Sequence, residues 1–103
     1  MRSVLIVDDK EMLRDSVAVT LQRAGFTVVT AADGPAALEI IPRRRPDAVV
    51  TDLRMPGMTG IELIEQVRAV DQDLPIVLMT AFGTIKTAVE AMKIGAFDYI
   101  TKP

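Results

Sequence analysis

Five short apolar runs, each followed by a turn and then by a stretch of helical periodicity, constrain this 103-residue chain more than any other feature. Ser3 to Val7 is apolar without alternation, the pattern of a strand buried on both faces, and Asp8 and Asp9 end it. From Lys10 to Ala24 the positions Leu13, Val17, Leu21 and Ala24 share one helical face, and Gly25 supplies the stop. Phe26 to Thr30 reads as a second strand, closed by a turn through Ala31, Ala32, Asp33 and Gly34. A second helix is predicted from near Pro35, with Ala37, Leu38 and Ile41 apolar and Pro42 cutting it short or bending it. Asp47 to Thr51 is the third strand, Leu53 to Thr59 a loop, and Gly60 to Val70 a third helix facing the core through Ile61, Leu63, Ile64 and Val67. Pro75 opens a fourth strand that ends at Thr80. Ile85, Ala88, Val89 and Met92 then mark a fourth helix, which Gly95 ends before a fifth strand from Phe97 to Ile100.

Alternation of this kind, with continuous apolar strands, predicts one α/β domain: a parallel sheet with helices on both faces. Half the residues are apolar and a quarter charged, as in ordinary globular proteins. No apolar run approaches the ~20 residues needed to span a bilayer, and the N-terminus lacks the pattern of a signal peptide, so the expected location is cytoplasmic. Cysteine and histidine are both absent, which removes disulfides, Cys/His zinc sites and any imidazole or thiolate chemistry. The net charge of −2 argues against nucleic acid or an anionic membrane as direct partners. The one basic cluster, Arg43, Arg44 and Arg45, reads as a solvated helix end.

Crossovers in such sheets are right-handed, and ligands bind beyond the carboxyl ends of the strands where strand order reverses. Asp8 and Asp9 follow the first strand, Asp52 the third, Thr80 closes the fourth and Lys102 follows the fifth, so the oxygen ligands and one cation collect on a single rim. Three carboxylates held together repel unless a cation neutralises them, and a hard divalent ion such as Mg²⁺ suits oxygen donors. Lys102 adds a movable charge suited to a phosphoryl oxygen. A carboxylate beside a metal and a lysine is equipped to attack a phosphoryl group, with Thr80 to hydrogen-bond the product. Asp52, on the central strand, is the candidate nucleophile. Taken singly, each residue has a plainer reading: Asp8 and Asp9 as helix caps, Asp52 as a turn residue, Thr80 as a strand-end hydroxyl, Lys102 as a surface lysine.

The stretches LIVDDK (from Leu5), VVTDLRMPGMTG (from Val49), VLMTAFG (from Val77) and GAFDYITKP (from Gly95) resemble the receiver domain of bacterial two-component response regulators, and the likeness runs the length of the chain. It implies a flavodoxin-like (CheY-like) doubly wound sheet of five parallel strands in the order 2-1-3-4-5. It also implies phosphorylation of Asp52 by a histidine kinase or phosphotransfer protein. Asp8, Asp9, Asp52 and the backbone carbonyl of Arg54 would hold Mg²⁺, for which Mn²⁺ can substitute. Thr80 would close on the phosphoryl group, Ala81 would offer a backbone N–H, Lys102 would pair with the phosphate, and Tyr99 would turn inward as Thr80 moves. Simple packing is the alternative reading of Tyr99. The segment from Ala81 to Pro103 is similar to receivers of the NtrC class of transcription activators, and TDLRMPGMTGIELIEQ to those of the FixJ type. Either likeness implies a transcriptional, DNA-binding output domain outside this chain, and it admits a receiver dimer. Such a domain catalyses only its own phosphorylation and dephosphorylation and is otherwise no enzyme.

Three features depart from that pattern. Lys10 stands where many relatives have an acid, which adds a positive charge at the rim. Pro42 interrupts a helix that usually runs on, and the chain ends at Pro103, before the family's last helix, so domain 1–103 is expected to leave one sheet face and the first helix short of apolar cover. The Lys102–Pro103 peptide corresponds to one that is cis in relatives. A haloacid-dehalogenase-type phosphatase is the rival enzyme, but it needs an acid two residues after a nucleophile on its first strand. That place holds Lys10 after Asp8, Glu11 after Asp9 and Arg54 after Asp52, and no cap segment is visible. A receiver serving only as a binding module would lack one of the rim residues, and none is missing.

Overall fold

A computed structural model describes residues 2–80 and 85–101. The chain alternates strand and helix throughout: β1 (Ser3–Val7), α1 (Glu11–Arg23), β2 (Thr27–Ala31), α2 (Gly34–Arg43), β3 (Ala48–Asp52), α3 (Gly60–Arg68), β4 (Ile76–Thr80), α4 (Ile85–Lys93) and β5 (Asp98–Thr101). The strands form one parallel sheet in the order β2-β1-β3-β4-β5, the flavodoxin-like arrangement. Strand order reverses between β1 and β3, so a crevice opens beyond their carboxyl ends.

Alternate strand residues feed two cores. On one face Leu5, Val7, Val49, Ile76 and Leu78 pack against Ala37 and Ile41 of α2, Leu63, Ile64 and Val67 of α3, and Ala91 of α4. On the other, Val4 and Ile6 pack against Ala18 of α1, with Val17, Leu21, Phe26, Val28 and Val50 partly buried around them. That second face is thinly covered toward β4 and β5, where Val77 and Met79 remain partly exposed and Ile100 is half exposed.

Local signals explain the helix limits. The Asp33 carboxylate accepts the Ala36 N–H at 2.8 Å and Pro35 sits in the first turn, which starts α2. Thr59 and Glu62 form a reciprocal capping box, each bond 3.1 Å, which starts α3. After α1, the Gly25 N–H donates to the Gln22 carbonyl and the Phe26 N–H to that of Leu21, a Schellman closure that requires the left-handed φ of 97° at Gly25.

Most expected boundaries shift by a residue or two, and several assignments change in kind. Pro42 lies inside the last turn of α2, where it leaves the Leu38 carbonyl without its helical N–H; the Arg44 N–H still reaches the Ile40 carbonyl at 2.8 Å, and the helix ends at Arg43. Asp52 is the last residue of β3 rather than the first after it. The stripe expected on α4 is rotated: Ala91 is buried and Ala88 partly so, while Val89 and Met92 are half exposed. Larger apolar residues are not always the buried ones where a helix lies close to a sheet and only a small side chain fits. Leu13, expected on the core face of α1, is likewise exposed, and Ala18 takes the buried place.

Candidate phosphoacceptor and metal site

The site begins with three strand ends. Asp8 and Asp9 leave β1, Asp52 closes β3, and Thr80 closes the neighbouring β4. One carboxylate oxygen from each of Asp8, Asp9 and Asp52 lies within 4.8 Å of the others. Asp8 and Asp52 are only 5% and 4% exposed, and Thr80 is fully buried, whereas Asp9 opens to solvent. Two carboxylates so removed from water need compensation, which separates this cluster from an ordinary acidic surface patch.

Part of that compensation is built in. The Leu53 N–H donates to Asp52 Oδ1 at 2.9 Å, which fixes the rotation of the carboxylate. The Lys10 N–H donates to Asp8 Oδ1 at 2.9 Å, and Arg14 Nη1 donates to the Asp8 carbonyl at 3.0 Å. Neither Asp8 nor Asp9 caps α1, whose N-cap is Lys10; Asp8 instead orders the turn before the helix, and its carboxylate also lies beside that of Asp52. Lys10 brings its ammonium within 3.7 Å of Asp52 Oδ2 and 3.9 Å of Asp9 Oδ1.

The loop after β3 is held by its apolar residues. Leu53 and Met55 are buried, Met58 packs against Gly34 at the start of α2, and the exposed Arg54 lies between the two anchors. Gly60 starts α3 directly beneath Asp52. A Cβ at Gly60 would collide with the Asp52 backbone carbonyl and come within 2.7 Å of Leu78 Cδ1, so glycine lets the helix approach the end of the strand closely. Sequence reasoning missed this role, although the glycine following a capping threonine was a usable signal.

Tyr99 lies in β5 opposite Leu78, its ring partly buried, and its hydroxyl and that of Thr87 on α4 lie 3.1 Å apart. Thr87 was not anticipated. Ala81, Lys102 and the Lys102–Pro103 peptide lie outside the described residues. Away from the rim, Arg45 is not simply solvated: its guanidinium grips Asp71 through Nε at 2.6 Å and Nη2 at 3.3 Å.

A buried Asp at the end of the central strand, two more acids beside it and a buried Thr on the next strand form one constellation. Residues 4–103 match the family described as the response regulator receiver domain. The chain belongs to that family. As a receiver it is the phosphoacceptor part of a signalling response regulator, and relatives it resembles include transcriptional regulatory proteins. It is 42% identical over 100 residues to the transcriptional regulatory protein FixJ of Bradyrhizobium diazoefficiens, which covers 97% of this chain and 49% of FixJ. It is 43% identical over 101 residues to the C4-dicarboxylate transport transcriptional regulatory protein DctD of Rhizobium meliloti, covering 98% of this chain and 22% of DctD. The receiver thus spans about half of one relative and about a fifth of the other. A solved response regulator of Burkholderia pseudomallei, with a phosphorylated aspartic acid, calcium ion and citrate, matches all of this chain and 61% of its own at 30% identity and a TM-score of 0.93. No helix among the described residues is long and apolar enough to cross a membrane.

Proposed function

We propose that Asp52 accepts a phosphoryl group from the phosphohistidine of a sensor histidine kinase or phosphotransfer protein, in the cytoplasm. The observation that carries this reading is the near-complete burial of Asp52 at the end of the central strand, with the Asp8 and Asp9 carboxylates within 4.8 Å. In the transfer, a carboxylate oxygen of Asp52 forms a bond to phosphorus as the bond from phosphorus to the donor nitrogen breaks, and that nitrogen keeps the electron pair. The Leu53 N–H holds the carboxylate in one orientation throughout.

The donor set fits a hard divalent cation: three acidic oxygens close together, two of them sheltered from water. Asp8, Asp9, Asp52 and the backbone carbonyl of Arg54 would hold Mg²⁺, or Mn²⁺ in its place. Bound there, the ion would neutralise charge on the transferring oxygens. Thr80, the Ala81 N–H and Lys102 take the phosphoryl oxygens, on the strength of the sequence motifs that carry them. The same groups serve hydrolysis of the acyl phosphate, so the chain's only catalysis is upon itself.

Phosphorylation then favours the arrangement in which Thr80 has moved to the phosphoryl group, with Tyr99 following it. The hydrogen-bonded Thr87–Tyr99 pair links β5 to α4, the elements through which an output domain would read the change. By analogy with FixJ and DctD that output is transcriptional and DNA-binding, and the receiver itself touches neither DNA nor membrane. The thinly covered sheet face around Val77, Met79 and Ile100 supports a further proposal, that a helix following Pro103 lies there in the full-length protein and can also carry a receiver dimer.

Incubation with Mg²⁺ and acetyl phosphate should add one base-labile phosphoryl group per chain, and Asp52→Asn should abolish it. The same modification persisting in that variant, read by intact-protein mass, would sink the assignment.

A further inference from the structure

Lys10 breaks two local rules. It occupies the N-cap position of α1, where Asn, Asp, Ser or Thr is favoured, and its side chain makes no cap. It also sets a cation at the positive end of the helix dipole, where an anion is preferred. Local inconsistencies of this kind concentrate at functional sites. Its ammonium reaches instead over the acidic cluster, 3.7 Å from Asp52 Oδ2 and 3.9 Å from Asp9 Oδ1.

We infer that Lys10 is a tethered counter-ion that competes with the divalent cation for the Asp9 and Asp52 oxygens, so that this receiver binds metal more weakly than its three carboxylates would alone. The inference rests on the metal reading proposed above. The side chain is 52% exposed while Asp52 is buried, so the ammonium covers the cluster from its solvent side. Both distances exceed hydrogen-bonding range, which makes this a loose pair on a flexible four-carbon stem. The ammonium is thus able to swing into solvent when a divalent ion arrives. What the metal must overcome is the attraction of a half-exposed ion pair together with residual repulsion from a nearby charge, both sensitive to salt.

Binding of Mn²⁺ to the full-length protein, followed by the electron paramagnetic resonance signal of the free ion, tests this without any phosphorylation. Lys10→Gln should tighten binding about 1.5- to fivefold at low ionic strength, the range expected for releasing a partly exposed pair. Lys10→Arg, which keeps the charge, should stay near the parent value, and the gain from Lys10→Gln should shrink as salt approaches about 1 M. Equal or weaker binding by Lys10→Gln would overturn the role assigned to Lys10 while leaving the metal site standing. Failure of parent and variant alike to bind Mn²⁺ would overturn the metal site and this role with it.

Discussion

At the residue scale, the Arg45–Asp71 pair shows how one contact makes stability depend on pH. The Arg45 guanidinium, donating to both Asp71 oxygens, pulls the Asp71 carboxyl from its ordinary 3.8 down to about 2, helped by the N–H groups of Asp73 and Leu74. A carboxyl depressed in the folded state binds its proton more readily once unfolded. Its contribution is therefore whole above the ordinary value and is lost as pH falls from about 4 toward about 2. Asp71→Asn keeps an acceptor for the two backbone N–H groups and removes the charge. The melting temperature of the parent should exceed that of this variant at neutral pH, and the gap should narrow below about pH 4 and close as pH falls through about 2, whereas a gap independent of pH would disprove the account. The run of three arginines before Pro46 was visible in the sequence, but the partner of Arg45 lies 26 residues away and came only with the fold. Gly60 is a partly similar case: a glycine after a capping threonine hints at a close approach, but that the Asp52 carbonyl is what lies against it came only with the fold.

At the scale of elements, helix ends follow their local chemistry closely, and one of them supports the site. The Thr59–Glu62 box starts α3, which begins at Gly60 directly against the Asp52 carbonyl. Thr59→Ala removes the acceptor for the Glu62 N–H and should cost about 1 kcal/mol, read from the urea midpoint at unchanged slope. No loss of midpoint would show that water replaces the hydroxyl there. Between elements, Arg68 at the end of α3 donates through Nε at 2.9 Å and Nη2 at 2.7 Å to the Gly95 carbonyl, and through Nη1 at 3.0 Å to that of Asp71. It ties the loop before β4 to the turn before β5. Periodicity marked the strands and helices because burial repeats every two residues in one and every 3.6 in the other. It misjudged which residues of α4 are buried, since that depends on how closely the helix approaches the sheet.

At the scale of the whole molecule, the two sheet faces are unequally covered. Among the described residues three helices bury the first, while α1 alone covers the second and leaves Val77, Met79 and Ile100 partly open. If a further helix lies on that face, a chain extended beyond Pro103 should melt at a higher temperature than one ended there, and equal melting would dismiss the covering helix. The sequence by itself determined the alternation of strand and helix, the parallel sheet, and the gathering of Asp8, Asp9, Asp52 and Thr80 at one rim, because each follows from periodicity, turn residues and the direction of parallel strands. The family motifs added the strand order and the roles those residues would play. Only the tertiary structure decided which carboxylates are sheltered from water, that Lys10 reaches Asp52, that Thr87 meets Tyr99 and that Gly60 lies against the Asp52 carbonyl. Those are distances between segments far apart in the chain or directions taken by side chains, and they are set by how the helices pack on the sheet rather than by any local preference.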